Sequence, residues 1–453
     1  MRTFDVVVIG AGPAGEVAAG RLAERGLSVA IVEDRLVGGE CSYWACMPSK
    51  ALLRPYEALA EARRVPGAAE AITGGLAVQA VLDRRDEIIH GLDDSGMLPW
   101  LEDRGIELFR GRGRLDGERR VRVGDDVLRA ERAVILATGT SAAVPPIEGL
   151  REAEPWTNRE GTTAREPPPR LAVLGGGVAG VELAQAWRSL GSQVTIVEAA
   201  DRLIAREEPF ASEQVAEALR ERGVDVRIGV KVAAVAAVDG EVVLELEGAP
   251  PVTADTLLVA VGRRPNTDDI GLESVGLEPS GYVEVDDRLR AGAHDWLYAI
   301  GDVNGRALLT HAGKYQARIA ADVILGSDAS ANADGSMSPR VIFTDPQVAA
   351  VGHTLASARD EGLEVRAVDA STSGSAGASF YGRDAPGTTR FVVDEKRQVL
   401  AGATFTGVEV SEFLHAATIA VVGEVPLERL RHAIPSFPTR SEVWLQLLEE
   451  YGL

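Results

Sequence analysis

One short stretch, Gly38-Gly39-Glu40-Cys41-Ser42-Tyr43-Trp44-Ala45-Cys46-Met47-Pro48-Ser49-Lys50, contains both cysteines of the chain. Two thiols separated by four residues can close and open as a disulfide, so the first reading is a redox pair. On an ideal α-helix the Cα atoms of such a pair lie about 8–9 Å apart, whereas a disulfide tolerates roughly 7 Å at most. A helical segment would have to distort to close the bond, and Pro48, which removes a backbone donor, is the expected cause. A strained bridge is the more easily reduced, which suits electron transfer better than stapling. Lys50 ends the stretch and is one of four lysines in the chain, with Lys231, Lys314 and Lys396, which makes it conspicuous.

Such a pair needs a source of electrons, and the preceding residues supply a place for one. Val6 to Ile9 is a valine-rich apolar run, expected as a buried parallel strand. Gly10-Ala11-Gly12-Pro13-Ala14-Gly15 follows, then an alanine-rich helix, a second strand from Ser28 to Val32, and the acids Glu33 and Asp34. In this order the glycines permit a tight turn and let backbone amides approach a pyrophosphate at the helix N-terminus. Glu33 can bind ribose hydroxyls. The pattern then recurs: Leu171 to Leu174, Gly175-Gly176-Gly177-Val178-Ala179-Gly180, a helix, the strand Val194 to Val197, and Glu198. Gly10, Gly12, Gly15 and Glu33 map onto Gly175, Gly177, Gly180 and Glu198 with one constant offset of 165. Two dinucleotide folds imply two dinucleotides. An acid at Glu198 favours a free 2′-hydroxyl, hence NADH over NADPH, with Arg202 nearby as a tempering feature.

The composition bounds the remaining choices. A chain of 453 residues with 45% hydrophobic and 25% charged residues is an ordinary globular protein of about three domains. A net charge of −21 argues against a nucleic-acid partner or an anionic membrane surface. Two cysteines exclude a secreted disulfide scaffold and a four-cysteine metal site, and no metal site is expected. No charged leader precedes Val6 to Ile9, and no apolar run approaches the ~20 residues needed to span a bilayer. A soluble, cytoplasmic protein is the expectation.

Further along, Pro48 to Ala62 and Val78 to Glu102 read as helices, with His90 a satisfied or exposed histidine rather than a catalyst. Val134-Ile135-Leu136-Ala137-Thr138-Gly139 is a strand ending in small residues, and Val144-Pro145-Pro146 marks the exit from the first domain. The second nucleotide fold runs to Leu257-Leu258-Val259-Ala260-Val261-Gly262-Arg263-Arg264-Pro265-Asn266. In Leu297-Tyr298-Ala299-Ile300-Gly301-Asp302 the acid at the strand's end could bind a polyol chain or serve as a turn aspartate. Gly326 to Met337, rich in Ser, Ala, Asp and Gly, reads as an inter-domain connection. Arg390 to Val393 and Gly402 to Thr406 suggest an antiparallel sheet, with helices near Ser411 to Val422 and at the C-terminus, suited to packing and assembly.

Together these residues resemble the pyridine nucleotide–disulfide oxidoreductases, the family of dihydrolipoamide dehydrogenase, glutathione reductase and mercuric reductase. The carriers are C-x-x-x-x-C with the following Pro-Ser-Lys, the Ala-Thr-Gly strand, Gly-Arg-Arg-Pro-Asn and Ala-Ile-Gly-Asp. Phe343-Thr344-Asp345-Pro346-Gln347-Val348-Ala349 is similar to the start of the family's interface domain. The resemblance implies an α/β fold with two Rossmann-like dinucleotide-binding domains and a C-terminal α+β interface domain. The FAD-binding domain would be split over residues 1–148 and 265–328, with the NAD(H)-binding domain at 149–264 and the interface domain at 338–453. Cofactor contacts are implied for Gly10, Gly12, Pro13, Ala14, Gly15, Glu33, Asp34, Gly39, Lys50, Gly113, Ala137, Thr138, Gly139, Gly301, Asp302 and Ala312. They are implied likewise for Gly175, Gly177, Gly180, Glu182, Glu198 and Gly262. Asp302 would lie on the ribityl chain, Cys41 would exchange with substrate, and Cys46 would lie against the flavin as a charge-transfer thiolate. Lys50, paired with Glu182, would approach the flavin N5 region. A homodimer is implied, in which the C-terminal loop of one subunit completes the site of the other.

Two departures qualify the activity. The family's His-Pro-Thr-x-x-Glu reads Phe437-Pro438-Thr439-Arg440-Ser441-Glu442 here. Phenylalanine cannot protonate a leaving thiolate, and loss of a positioned acid–base costs ~10²–10⁴ in rate. His432, five residues upstream, is either a structural histidine or, if the loop is rearranged, the alternative donor. Glu40, Tyr43 and Trp44 also stand where relatives carry threonine and smaller residues, and either pack beneath the flavin domain or reshape access to Cys41. The leading expectation is hydride transfer from NADH through FAD to Cys41–Cys46 and on to a disulfide or related small molecule. The alternatives are a flavin reductase of a quinone, metal ion or oxygen, and an enzyme similar to 2-ketopropyl-coenzyme M carboxylase, in which Phe437 excludes protons. The chain ends Glu449-Glu450-Tyr451-Gly452-Leu453 without the cysteine pair of mercuric reductases, which argues against mercury.

Overall fold

The apolar run that opens the chain forms strand Arg2–Ile9, in which Val6, Val7 and Val8 are fully buried. It lies parallel between strands Val29–Glu33 and Asp126–Leu136. Val6 and Val8 pack against the helix residues Ala18, Leu22, Ala317 and Ala321, while Val7 and Ile9 face Val121, Leu128 and Trp296. Both faces are covered, which is why the run is continuously apolar rather than alternating. The structure, a computed structural model, describes residues 1–382, 385 and 387–453.

The chain forms two units, Met1–Pro48 with Asp86–Ala142 and Arg263–Gly335, and Ser49–Arg85 with Ala143–Gly262 and Ser336–Leu453. The first unit holds a seven-stranded sheet in the order Glu107–Arg110, Val29–Glu33, Arg2–Ile9, Asp126–Leu136, Arg120–Val123, Gly113–Leu115, with Leu297–Ala299 also on Asp126–Leu136. Helices Pro13–Ala23 and Thr310–Ile324 pack on it. The second unit repeats the parallel scheme with strands Asp225–Ile228, Gln193–Glu198, Arg170–Leu174 and Thr256–Val259 and helix Val178–Ser189. It adds a three-stranded sheet and an antiparallel five-stranded one, which includes Thr388–Asp394 and Val399–Gly407 and packs against helices Leu414–Val422 and Val443–Tyr451.

One local expectation differs from the structure. The segment expected as helix from Val78 to Glu102 is helical over Val78–Ile88 and Leu98–Glu102 only, with turns His90–Leu92 and Ser95–Met97 between. His90, Gly91 and Leu92 adopt φ of +51°, +58° and +63°, which a right-handed helix cannot contain. Residues 326–337 are irregular, as a connection would be, yet Ala331 and Asp334 are buried at 0% and 1% exposure.

Candidate active site

The two glycine motifs fold into matching cradles. Gly10 has φ +104°, and a Cβ there would lie 2.3 Å from the Ala137 carbonyl oxygen; one on Gly15 would lie 1.9 Å from the Gly10 oxygen. Gly39, φ +61°, approaches so closely that its Cβ would meet Gly12 Cα at 2.7 Å. In the repeat, a Cβ on Gly175 would lie 2.5 Å from the Ala260 oxygen and one on Gly180 2.0 Å from the Gly175 oxygen. Gly12 and Gly177 precede their helices as extended caps. The acids are held alike. Glu33 accepts from the N–H groups of Ala11 and Arg35, both at 2.8 Å, and Glu198 from those of Gly176 at 2.5 Å and Ala200 at 2.7 Å. A carboxylate has about four lone-pair sites, so each retains capacity for sugar hydroxyls. Burial pushes the Glu33 carboxyl above its ordinary pKa. Asp34, next in the chain, is exposed.

Around the first cradle, Pro13 begins helix Pro13–Ala23, and Ala14 would meet a Cβ on Gly301 or Gly313 at 3.3 Å. The Thr138 hydroxyl is buried without a hydrogen-bond partner among the described residues, and Gly139 has φ +67°. The Thr140 hydroxyl donates to Asp302 Oδ2 at 2.6 Å. Arg263 donates to the same hydroxyl at 2.6 Å and lies 3.7 Å from Asp302 and 4.0 Å from Glu40. Burial raises the Asp302 pKa, against the lowering pull of Thr140 and Arg263. Gly113 leaves room for Ile9 and Val32, which its Cβ would meet at 2.9 and 3.1 Å. Ala312 is buried on helix Thr310–Ile324. In the second unit the Gly262 carbonyl, at φ +145°, accepts from Ala143 N–H at 2.9 Å.

The cysteines sit on either side of a helix break. Helix Gly39–Tyr43 ends at Trp44, φ −134° and ψ 2°, and helix Cys46–Arg64 begins afresh. The break thus precedes Pro48 rather than arising from it. Pro48 occupies the first turn of the new helix, where its missing donor is not needed. No disulfide joins the two cysteines. The two thiols hydrogen-bond each other, and this bond, with burial, pushes the Cys41 thiol up, against a smaller lowering by Thr310 and Lys314. Cys46 Sγ lies 3.4 Å from the hydroxyl of Thr310, the first residue of helix Thr310–Ile324. Tyr43 is buried, donates to the Val37 carbonyl at 3.2 Å and has its pKa pushed to about 12, chiefly by burial. Its ring centroid is 5.7 Å from that of Trp44, so these aromatics pack locally.

In the second unit, Lys50 Nζ bonds Glu182 Oε2 at 2.6 Å and lies 4.7 Å from the centre of the Phe343 ring. Glu182 Oε1 accepts from Phe343 N–H at 2.9 Å. The role of Phe343 escaped the sequence reading, although the motif that contains it was visible. Phe437 is 76% exposed. Glu442 accepts from Gly377 N–H at 3.3 Å, and Gly377 packs so tightly on the loop that a Cβ would lie 2.2 Å from the carbonyl carbon of Thr439. His432 lies 4.0 Å from Glu428 and is exposed. Among the described residues no group of three or more His, Cys, Asp or Glu could hold a metal ion, and no helix is long and apolar enough to cross a membrane.

A model of the pyridine nucleotide-disulphide oxidoreductases matches residues 4–317, and one of that family's dimerisation domain matches 338–448. The chain is 32% identical to the dihydrolipoyl dehydrogenase of Chlamydia muridarum over 451 residues, 98% of this chain and 96% of that one. It is 30% identical to a mercuric reductase of Staphylococcus aureus over 449 residues, 97% and 81% of the two chains. Among solved structures, the Cu(II) complex of the HOCl-induced flavoprotein disulfide reductase RclA from Escherichia coli matches with a TM-score of 0.86 and 28% identity over 99% of each chain. The chain belongs to the pyridine nucleotide–disulphide oxidoreductases. It is an FAD-dependent oxidoreductase with a pyridine nucleotide substrate, a redox-active cysteine pair and a dimerisation domain that supports a homodimer. The residues present fit FAD: the first cradle admits no side chain at Gly10, Gly15 or Gly39, and the orphaned Thr138 hydroxyl lies beside it in sequence with Ala137.

Proposed function

We propose that the enzyme takes electrons from NADH through FAD to the Cys41–Cys46 couple and delivers them to a disulfide or related small molecule. One observation carries this reading: the two thiols bond each other at the N-terminus of helix Thr310–Ile324, in the unit that holds the first glycine cradle. When bound, FAD supplies two-electron exchange between nicotinamide and disulfide. Backbone amides at Gly10, Gly12 and Gly15 would hold its pyrophosphate, Glu33 its ribose and Asp302 its ribityl chain. Cys46 would be the thiolate, with the Thr310 hydroxyl 3.4 Å from its Sγ at the N-terminus of helix Thr310–Ile324 to stabilise the charge. Cys41 is then the exchanging thiol. By the family resemblance Lys50, held by Glu182 and Phe343, would supply a cation that favours reduced flavin.

The second cradle takes the nicotinamide nucleotide within residues 149–264, between the parts of an FAD domain at 1–148 and 265–328 and before an interface domain at 338–453. NADH is favoured because Glu198 would repel a 2′-phosphate, while Arg202 Nη2 donates to the carbonyls of Ala205 at 2.7 Å and Glu207 at 3.4 Å. A second reading, a metal ion as acceptor, is favoured by Phe437. A metal ion takes electrons without a proton being delivered to a leaving sulfur, and two soft thiolates suit copper in its reduced state. A solved relative is a Cu(II) complex.

Anaerobic addition of NADH to the yellow holoenzyme tests the electron path. On adding NADH a long-wavelength absorbance band is expected in the parent; in Cys41→Ser it should stand before NADH and bleach as the flavin is reduced, and in Cys46→Ser it should be absent throughout. A parent without the band leaves only flavin chemistry. Turnover with lipoamide, glutathione disulfide and Cu(II) then separates the two acceptors.

A further inference from the structure

The irregular segment after helix Thr310–Ile324 sends a carboxylate into the interior of the first unit. The Asp334 side chain has 0% exposure. Its Oδ1 accepts from Arg306 Nη2 at 2.9 Å and its Oδ2 from Gln316 Nε2 at 2.8 Å. Gln316 is itself fully buried, and its Oε1 accepts from Gly301 N–H at 2.7 Å and from Asn304 Nδ2 at 2.9 Å. Asn304 Nδ2 donates in addition to the Ala299 carbonyl at 3.0 Å. A continuous chain of donors and acceptors therefore runs from Arg306 to the turn that carries Asp302.

The two ends of a primary amide are alike in shape and opposite in polarity. Flipped, Gln316 would set its NH₂ against the N–H of Gly301 and the NH₂ of Asn304, and its oxygen against the carboxylate. Arg306 can only donate and Asp334 accepts on both sides, so the carboxylate decides which way the amide points. Losing that polarity leaves buried donors without acceptors, and the turn must shift to relieve them. The turn has little room: Gly301 is at φ +73°, and a Cβ on Gly313 would lie 3.2 Å from its Cα.

We propose that Asp334 and Gln316 are positioning residues, a polarity relay that fixes the Gly301–Asp302 turn for the flavin's polyol chain, so that flavin retention depends on a carboxylate outside every nucleotide-binding motif. The inference rests on the reading of Asp302 as a flavin contact. It is tested with Asp334→Asn, Gln316→Glu and the double variant, by FAD titration of the apoprotein and by visible circular dichroism of the bound flavin. Each single variant is expected to raise the FAD Kd about tenfold or more and to alter the dichroism. The double variant restores both to within about threefold of the parent, because the new amide donates to the new carboxylate while its oxygen still accepts from Arg306. Single variants with parental Kd, or a double variant as weak as its components combined, overturn the relay. If the single variants are recovered unfolded, the double variant decides alone: soluble yellow protein supports the relay, and colourless or insoluble protein refutes it. Asp302→Ala separates the two readings. Parental FAD affinity there removes the Asp302 contact, whereas weak binding there with parental affinity in the single variants removes only the relay.

Discussion

Phe437→His asks how much of the chemistry of a disulfide reductase the C-terminal loop withholds. At 76% exposure in the single chain, the phenylalanine contributes little to any core, so the substitution should change stability by no more than ~0.5 kcal/mol. Glu442 accepts one long bond, 3.3 Å from Gly377 N–H, and a carboxylate has about four lone-pair sites. It therefore retains acceptors to hold an imidazole N–H and to favour the imidazolium. A positioned acid–base is worth ~10²–10⁴ in rate, or about 2.7–5.5 kcal/mol of barrier. Since the side chain at 437 is exposed in the single chain and little there would fix an imidazole, the lower end applies. We expect about a 10²-fold rise in kcat/KM for lipoamide or glutathione disulfide with NADH, and less than about twofold change for Cu(II), which needs no proton. The imidazolium is the donor, so the gain should be largest near pH 6 and fade as pH rises through its pKa, about 6.5 or somewhat higher beside Glu442. A gain below about threefold on every disulfide, in a variant that melts like the parent, would refute the role given to position 437.

Three other outcomes follow from the geometry. Gly15→Ala places a Cβ 1.9 Å from the Gly10 oxygen and should yield protein with almost no flavin by its absorbance ratio. Gly75→Ala, where a Cβ would meet nothing within 4 Å, should keep a full complement; flavin retained equally in both contradicts the cradle. Glu198→Gln removes the charge expected to repel a 2′-phosphate and should raise the NADPH-to-NADH ratio of kcat/KM about tenfold or more. An unchanged ratio would show that Glu198 does not select the nucleotide. Burial pushes the Glu16 carboxyl up to about 7 from 4.5, and its Oε1 lacks a hydrogen-bond partner among the described residues. The folded state then holds a proton that the unfolded state has released between about pH 4.5 and 7, so this contribution is complete below pH 4.5 and lost as pH rises through 7, on the order of 3 kcal/mol. Glu16→Gln should raise the apoprotein melting temperature at pH 8 and flatten its fall between pH 5 and 8; superimposable pH profiles would refute this.

The residues legible in the sequence are those whose spacing is itself the constraint. Gly15 and Gly180 are dictated by the backbone oxygens of Gly10 and Gly175, a few residues back in the chain, and the 165-residue offset carries even the capping bonds, from Ala11 and Arg35 on Glu33 to Gly176 and Ala200 on Glu198. Cys41, Cys46 and the absent histidine at Phe437 are legible for the same reason. The helix break before Cys46, in contrast, depends on backbone geometry at Trp44 that no spacing rule placed there, and Pro48 drew attention to the wrong residue. Phe343 on Lys50 and Glu182, and Gly377 on Glu442, are set by partners brought together only by tertiary packing. Asp334 is the plainest case. In sequence it lies in a polar, aperiodic connection; in the fold it is buried and fixes the polarity of Gln316. A side chain's surroundings are a sum over distant segments, and composition and period report only the near ones.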